Sequence, residues 1–183
     1  MKIIALSGKM HSGKSYISDR LVSKFDYRHV SFAEPLKADI ASLGFSREAI
    51  AQKPPWMRAL MVAYGQARRA EDQRHWVKKV IKDLDASYLF SPDMNIVIDD
   101  MRFVNEALAL VEFSVDAGVE LRLVRLERLN YDRTGIPGAN DDSERALDGY
   151  PFSGLCNFSV ESGDLLCLDG IADTLAAACV IDG

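Results

Sequence analysis

Eight residues near the start of the chain carry its first chemistry: Gly8-Lys9-Met10-His11-Ser12-Gly13-Lys14-Ser15. They fit the spacing G-x-x-x-x-G-K-S/T. Glycines at those positions let the backbone curl so that successive N–H groups point inward at an anion. In such a loop Lys14 reaches the outer phosphates of a nucleotide and the Ser15 hydroxyl ligates Mg²⁺. Gly8, His11, Ser12, Gly13, Lys14, Ser15 and Tyr16 are therefore the expected nucleotide-binding residues. His11 lies inside the loop and is expected to serve through its backbone, not its imidazole.

A second constellation is Asp99-Asp100, two acids at the end of the apolar run NIVID. An acid at a strand end can hold Mg²⁺ or its water shell, so Ser15, Asp99 and Asp100 are the expected metal residues. The third is the distribution of arginines. Arg58, Arg68, Arg69 and Arg74 crowd one stretch, and Arg122, Arg125, Arg128 and Arg133 another. A guanidinium presents a rigid fork of donors suited to phosphate oxygens. Together these groups suit phosphoryl transfer from ATP to a second phosphate. A phosphate monoester has its second pKa near ~6 and is mostly a dianion at neutral pH, so no strong base is needed. What remains is to align two polyanions and neutralise charge on the group in transit. The chain accordingly lacks a convincing nucleophile–base pair, and its histidines, His11, His29 and His75, are scattered.

The elements that must position these groups alternate between strand and helix. Residues 3–6 (IIAL) read as a buried strand, and 15–24 as the helix that the phosphate loop opens. Residues 28–33 (RHVSFA) are strand two, followed by a helix entered at Pro35. Residues 46–90 contain no convincing strand; Pro54-Pro55 breaks the stretch, and helices are expected over 56–69 and 73–86. So long an insertion needs a purpose, since most connections are short. Residues 95–99 are strand three, 105–116 a helix stopped at Gly118, and 119–126 (VELRLVRL) strand four. Residues 127–142 are polar, carry Gly135, Pro137 and Gly138, and read as a closing lid. A short helix over 143–147, strand five over 156–160 and a helix over 171–180 complete the chain. The pattern predicts one α/β domain over 1–183, a three-layer sandwich around a mostly parallel five-stranded sheet with the phosphate-loop kinase fold. The insertion over 46–90 would bind the acceptor and the lid over 127–142 would close on it.

Composition narrows the partners. A net charge of −5 argues against a nucleic acid polymer as ligand. No apolar run approaches the ~20 residues of a membrane span. Cys156, Cys167 and Cys179 show no metal-like spacing and read as thiols of a reducing compartment, and no signal peptide precedes the first strand. A cytoplasmic protein is expected.

Four stretches also resemble the deoxynucleoside monophosphate kinases of tailed bacteriophages. Ser31-Phe32-Ala33-Glu34-Pro35-Leu36-Lys37 resembles that family's SFADPLK, and Asp100-Met101-Arg102-Phe103-Val104-Asn105-Glu106 its DVRFPNE. Gly65 through Trp76-Val77 resembles a segment of glycine, arginine, acid and W-V, and Asp142-Ser143-Glu144 the SE after the lid. Glu34, Met101 and Val104 depart from the usual Asp, Val and Pro. The resemblance implies ATP-dependent phosphorylation of a deoxynucleoside monophosphate, with Mg²⁺, in the host cytoplasm if the chain is phage-encoded. It implies Phe32, Glu34, Lys37, Arg68, Trp76, Asp100, Arg102 and Glu106 on the acceptor side. Lys14, Arg125, Arg128 and Arg133 would be the catalytic cations, and a homodimer is plausible for the family. The alternatives are a dephospho-coenzyme A kinase-like or other small-metabolite kinase, and a nucleotide-binding protein without turnover. A GTPase switch is disfavoured because the guanine-reading N-K-x-D is absent: Lys37-Ala38-Asp39 follows Leu36.

Overall fold

A computed structural model describes residues 1–136, 145–149, 156–161 and 164–177. Among them five strands form one all-parallel sheet in the order β2-β3-β1-β4-β5. The strands are β1 (Lys2–Ser7), β2 (Arg28–Val30), β3 (Ile96–Ile98), β4 (Glu120–Arg128) and β5 (Cys156–Val160). The helices are α1 (Lys14–Phe25), α2 (Glu34–Ser42), α3 (Arg47–Gln52), α4 (Pro55–Glu71), α5 (His75–Phe90), α6 (Val104–Ala117) and α7 (Leu165–Ala176). This is the expected phosphate-loop kinase fold. No helix among the described residues is long and apolar enough to cross a membrane.

β1 is central, and every one of its residues is buried. Because side chains alternate along a strand, it feeds two cores. Ile3 and Ala5 pack with Val77, Val80 and Leu84 of α5 and with Leu110 and Phe113 of α6. Ile4 and Leu6 pack with Ile17 and Leu21 of α1 and with Ile171 and Leu175 of α7. These are the outer layers of the sandwich. A third cluster, Ile40, Ile50, Met57 and Met61, joins α2, α3 and α4. The helical insertion thus has a small core of its own.

The helix expected over 73–86 runs on to Phe90, and four other differences from expectation have local reasons. Strand two ends at Val30, because residues 31–33 turn to hydrogen-bond the Asp100 carboxylate. β4 runs on to Arg128, which pairs with Val160 of β5, so residues 127–128 belong to the sheet and not to a lid. α3 was not foreseen; six residues are too few for a periodic pattern, and Ser46 caps it by accepting from the Ala49 N–H at 3.2 Å. The closing helix starts at Leu165, where Asp164 accepts from Cys167 N–H at 2.8 Å, and ends at Ala176. Its far end is capped from the sheet: Lys2 Nζ donates to the carbonyl of Ala177 at 2.9 Å and Arg122 to that of Leu175 at 3.0 Å. The expected lid residues 137–142, the start of the helix over 143–147, Asp142-Ser143-Glu144 and Cys179 lie outside the described residues.

Candidate active site

The strand ends β1 and β3, the N-termini of α1 and α6, and the inner faces of α2 and α4 enclose one cleft of about 1740 Å³. The phosphate loop forms its floor at one end. Gly8 has φ +140°, and a Cβ there would sit 2.3 Å from the Leu126 carbonyl oxygen. Gly13 has φ +100°, and a Cβ there would meet Leu168 of α7 at 2.8 Å. Only glycine fits either position, so the loop's shape is set by its packing on β4 and α7. Lys14 Nζ donates to the carbonyls of Gly8 at 2.6 Å and Lys9 at 2.9 Å, curling over the loop where a phosphate oxygen would compete for it. Tyr16 lines the same end; its hydroxyl donates to Asp169 of α7 at 3.0 Å, which also holds its pKa above the ordinary phenol value.

The segment after β4 rests on this loop. Arg128 donates to the His11 carbonyl at 2.9 Å and Arg133 to the Met10 carbonyl at 3.1 Å. Both guanidinium groups lie over the Tyr131 ring, at 4.2 and 5.2 Å from its centroid. His11 serves here through its backbone oxygen. Arg128 lines the cleft; Arg133 does not. Arg125 also stays out of it, bonding instead to the Leu147 carbonyl and the Asp148 carboxylate.

The two acids separate into different tasks. Asp99 Oδ2 accepts from the Ser15 hydroxyl at 3.1 Å, and its Oδ1 is 2.7 Å from His29 Nε2. A hydroxyl and a carboxylate at a helix N-terminus are hard oxygen donors that fit Mg²⁺. Among the described residues no group of three or more His, Cys, Asp or Glu forms a metal cage. Asp100 is a brace: its carboxylate accepts from Ser31 Oγ at 2.6 Å, Phe32 N–H at 2.8 Å and Ala33 N–H at 2.9 Å. Of the expected metal residues, Ser15 and Asp99 thus bond each other, while the Asp100 carboxylate is taken up by three donors.

At the far end the helical insertion presents cations. Lys37 of α2, Lys53 at the α3–α4 corner, Arg58 and Arg69 of α4, and Arg102 before α6 all line the cleft. Sequence reasoning placed Arg68 here, but Arg68 turns away, bonded to the Tyr64 hydroxyl at 3.2 Å and Glu71 at 3.1 Å. Arg69 takes the inward place, its guanidinium 4.6 Å from the Phe103 ring centroid. Burial works against its charge, and Glu106 works for it. The signal was in the spacing: Met57, Met61 and Gly65, the buried residues of α4, recur every four positions, and Arg69 is the next.

Four other expected acceptor residues do not line the cleft. Phe32 and Trp76 are core residues, and Trp76 Nε1 donates to the Gly65 carbonyl at 3.3 Å. Glu34 pairs with Lys37 at 3.1 Å and borders a smaller cavity beside β2. Glu106 is 4 % exposed; its carboxylate accepts from the N–H groups of Arg102 at 2.7 Å and Phe103 at 3.0 Å. It thereby caps α6 and fixes the backbone from which Arg102 reaches the cleft. Burial pushes its pKa up to about 7, against the two N–H donors and Arg69. Lys53, His29 and the amides Gln66, Gln73 and Asn105 also line the cleft; the three amides lie inside stretches that carry the resemblance, but none was an expected site residue.

No curated protein matches the chain. A family model does: that of the phosphomevalonate kinases, over residues 6–114, more than half of its length. The comparison returns a phosphate-loop kinase family, and not the bacteriophage deoxynucleoside monophosphate kinases that the motifs resemble. The matched stretch holds the phosphate loop, the insertion and Asp99, and by that match the chain belongs to the phosphomevalonate kinase family.

Proposed function

We propose that the protein transfers the γ-phosphoryl group of ATP to the phosphate of a small phosphorylated metabolite, giving a diphosphate and ADP. The observation that carries this reading is a single cleft with a phosphate loop at one end and five cations at the other: Lys37, Lys53, Arg58, Arg69 and Arg102. An acceptor phosphate oxygen attacks the γ-phosphorus in line, and the bond to the oxygen bridging the β- and γ-phosphates breaks. No proton need be removed from a dianionic acceptor. Lys14 and Arg128 face the donor phosphates, and Arg102 faces the meeting point. Mg²⁺, held by Ser15 and Asp99, would neutralise charge on the phosphate oxygens. Residues 129–136, resting on the loop through Tyr131 and Arg133, would keep water from the transferring group.

The family supports a phosphomevalonate-type acceptor as the first candidate. A deoxynucleoside monophosphate is the second. It is supported by the sequence resemblance and by Gln66, Gln73 and Asn105, amides able to bond a base edge. The test is ADP release from MgATP with phosphomevalonate, each of the four deoxynucleoside monophosphates, and dephospho-coenzyme A. Phosphomevalonate should give the highest kcat/KM. A deoxynucleotide tenfold better would replace it, and no release with any acceptor would remove the kinase reading.

A further inference from the structure

We infer that Lys53 and Arg58, at the corner between α3 and α4, form the oxyanion site that admits an acceptor by its phosphate dianion. The inference rests on reading this end of the cleft as the acceptor site. Neither residue lies in a motif, and both come from the insertion.

The backbone there is well anchored. Lys53 follows α3 in the left-handed region, at φ 48°, and its N–H bonds the Ala49 carbonyl at 3.0 Å. Pro54 and Pro55 come next, and their rings restrict the turn into α4. Arg58 N–H then bonds the Pro54 carbonyl at 3.0 Å. Both side chains line the cleft beside Lys37 and Arg102.

Ion pairing is uneven among the basic residues; Arg69, also without an ion pair among the described residues, has the Phe103 ring beside it. Lys37 pairs with Glu34, Lys79 with Asp39, Arg28 with Asp83, Arg68 with Glu71 and Arg74 with Glu112. Among the described residues Lys53 and Arg58 make no side-chain hydrogen bond and no ion pair. The acid that acts on Lys53 is Asp100, whose two oxygens are already taken by Ser31, Phe32 and Ala33. Loss of water, then Lys37, Arg58 and Arg102, hold the Lys53 pKa below its ordinary value. A cation cluster under that strain is relieved by an anion in the cleft. A phosphate dianion fits it: the Arg58 fork can grip two oxygens, and Lys53 supplies a point charge. A hydroxyl acceptor offers no such relief, so this corner selects for phosphate.

The test uses the intact protein with its phosphate loop saturated by MgADP, titrated with inorganic phosphate and followed by thermal unfolding. The wild type should gain several degrees in Tm at saturating phosphate. Lys53→Gln and Arg58→Gln should each lose more than half of that gain, and Lys53→Arg should keep it. Without added anion, Lys53→Gln should melt no lower than wild type, because it removes a charge that folding disfavours. With an active acceptor, Lys53→Gln should raise the acceptor KM about tenfold or more and leave the ATP KM within about threefold. A phosphate gain fully retained in both glutamine variants would overturn the inference. So would a raised ATP KM with the acceptor KM unchanged. The phosphate titration needs no turnover, so it decides the site even if every acceptor tried fails.

Discussion

The two ends of the cleft are built on opposite plans. At the nucleotide end, side chains are tied to a rigid frame. Lys14 bonds two loop carbonyls, Ser15 bonds Asp99, Tyr16 bonds Asp169, and Arg128 and Arg133 bond loop carbonyls. The frame itself is the sheet, where β1 and β3 are wholly buried. At the proposed acceptor end, α2, α3 and α4 share a cluster of four buried residues, and Lys53 and Arg58 line the cleft with no ion pair among the described residues. A polyphosphate common to many reactions suits a preformed cradle. An acceptor that must be told from its analogues suits charge that only the right ligand neutralises, at some cost to the free protein.

The largest effect should come from the nucleotide end. Lys14→Ala should lower kcat by about a thousandfold, the loss expected when a charge clamp on the transferring group is removed. Tm should change little, since the side chain bonds to carbonyls of its own loop and packs in no core. Wild-type turnover in that variant would break the comparison at its stronger side.

Next is a pH effect at the hinge between the two ends. Glu106 has a folded pKa of about 7 against an ordinary 4.5, so between those values the folded state holds a proton that the unfolded chain has released. Stability therefore falls as pH rises through that window. Glu106→Gln can still accept the N–H groups of Arg102 and Phe103 but lacks the titration. The unfolding free energy of wild type relative to Glu106→Gln should drop by on the order of 3 kcal/mol between about pH 4.5 and 8. Denaturant melts at several pH values measure it; parallel curves would mean the carboxyl is not perturbed.

Which parts of this could be read from the sequence follows a physical divide. The phosphate loop, the alternating elements and a mostly parallel sheet are legible because backbone-level constraints leave fixed spacings: glycines at two positive-φ sites, and apolar runs buried on both faces. Side-chain direction is harder. Asp99 and Asp100 are adjacent at a strand end and point to different neighbours, and nothing in two consecutive acids says which one bonds Ser15. Arg68 and Arg69 are successive positions on a helix, about 100° apart, so one faces the cleft and the other Glu71. Here the buried stripe of α4 did carry the answer. Trp76 and Phe32 sit in motifs that resemble a substrate site, yet both are core. A motif residue can be kept for packing as readily as for contact with a ligand. Lys53 is out of reach of sequence reading, because its environment is assembled from α2, α4 and the loop before α6.

Two smaller contrasts sharpen the picture. Arg69→Met should raise the acceptor KM by roughly tenfold to a hundredfold, one charge-assisted contact, with ATP affinity kept. Arg68→Ala should leave both constants within twofold and Tm nearly unchanged, as its Glu71 pair is exposed. Steady-state kinetics on the pair decides it; the reverse order would put Arg68 in the cleft. Smaller still, Asp100→Asn should lose about 1.5 kcal/mol of stability, because an amide cannot accept from all three donors. Asp99→Asn should instead raise the Mg²⁺ requirement with Tm preserved. Equal effects of the two on Mg²⁺ would return Asp100 to the metal site.

The central claim is transfer from phosphate to phosphate, and phosphorus NMR of the product tests it most directly. With MgATP and an acceptor found by ADP release, the protein should consume the acceptor's phosphate-ester signal and produce the coupled pair of a new phosphoanhydride. The same acceptor lacking its phosphate should give no phosphorylated product. A new phosphate ester on a hydroxyl, or inorganic phosphate as the only product, would contradict the account.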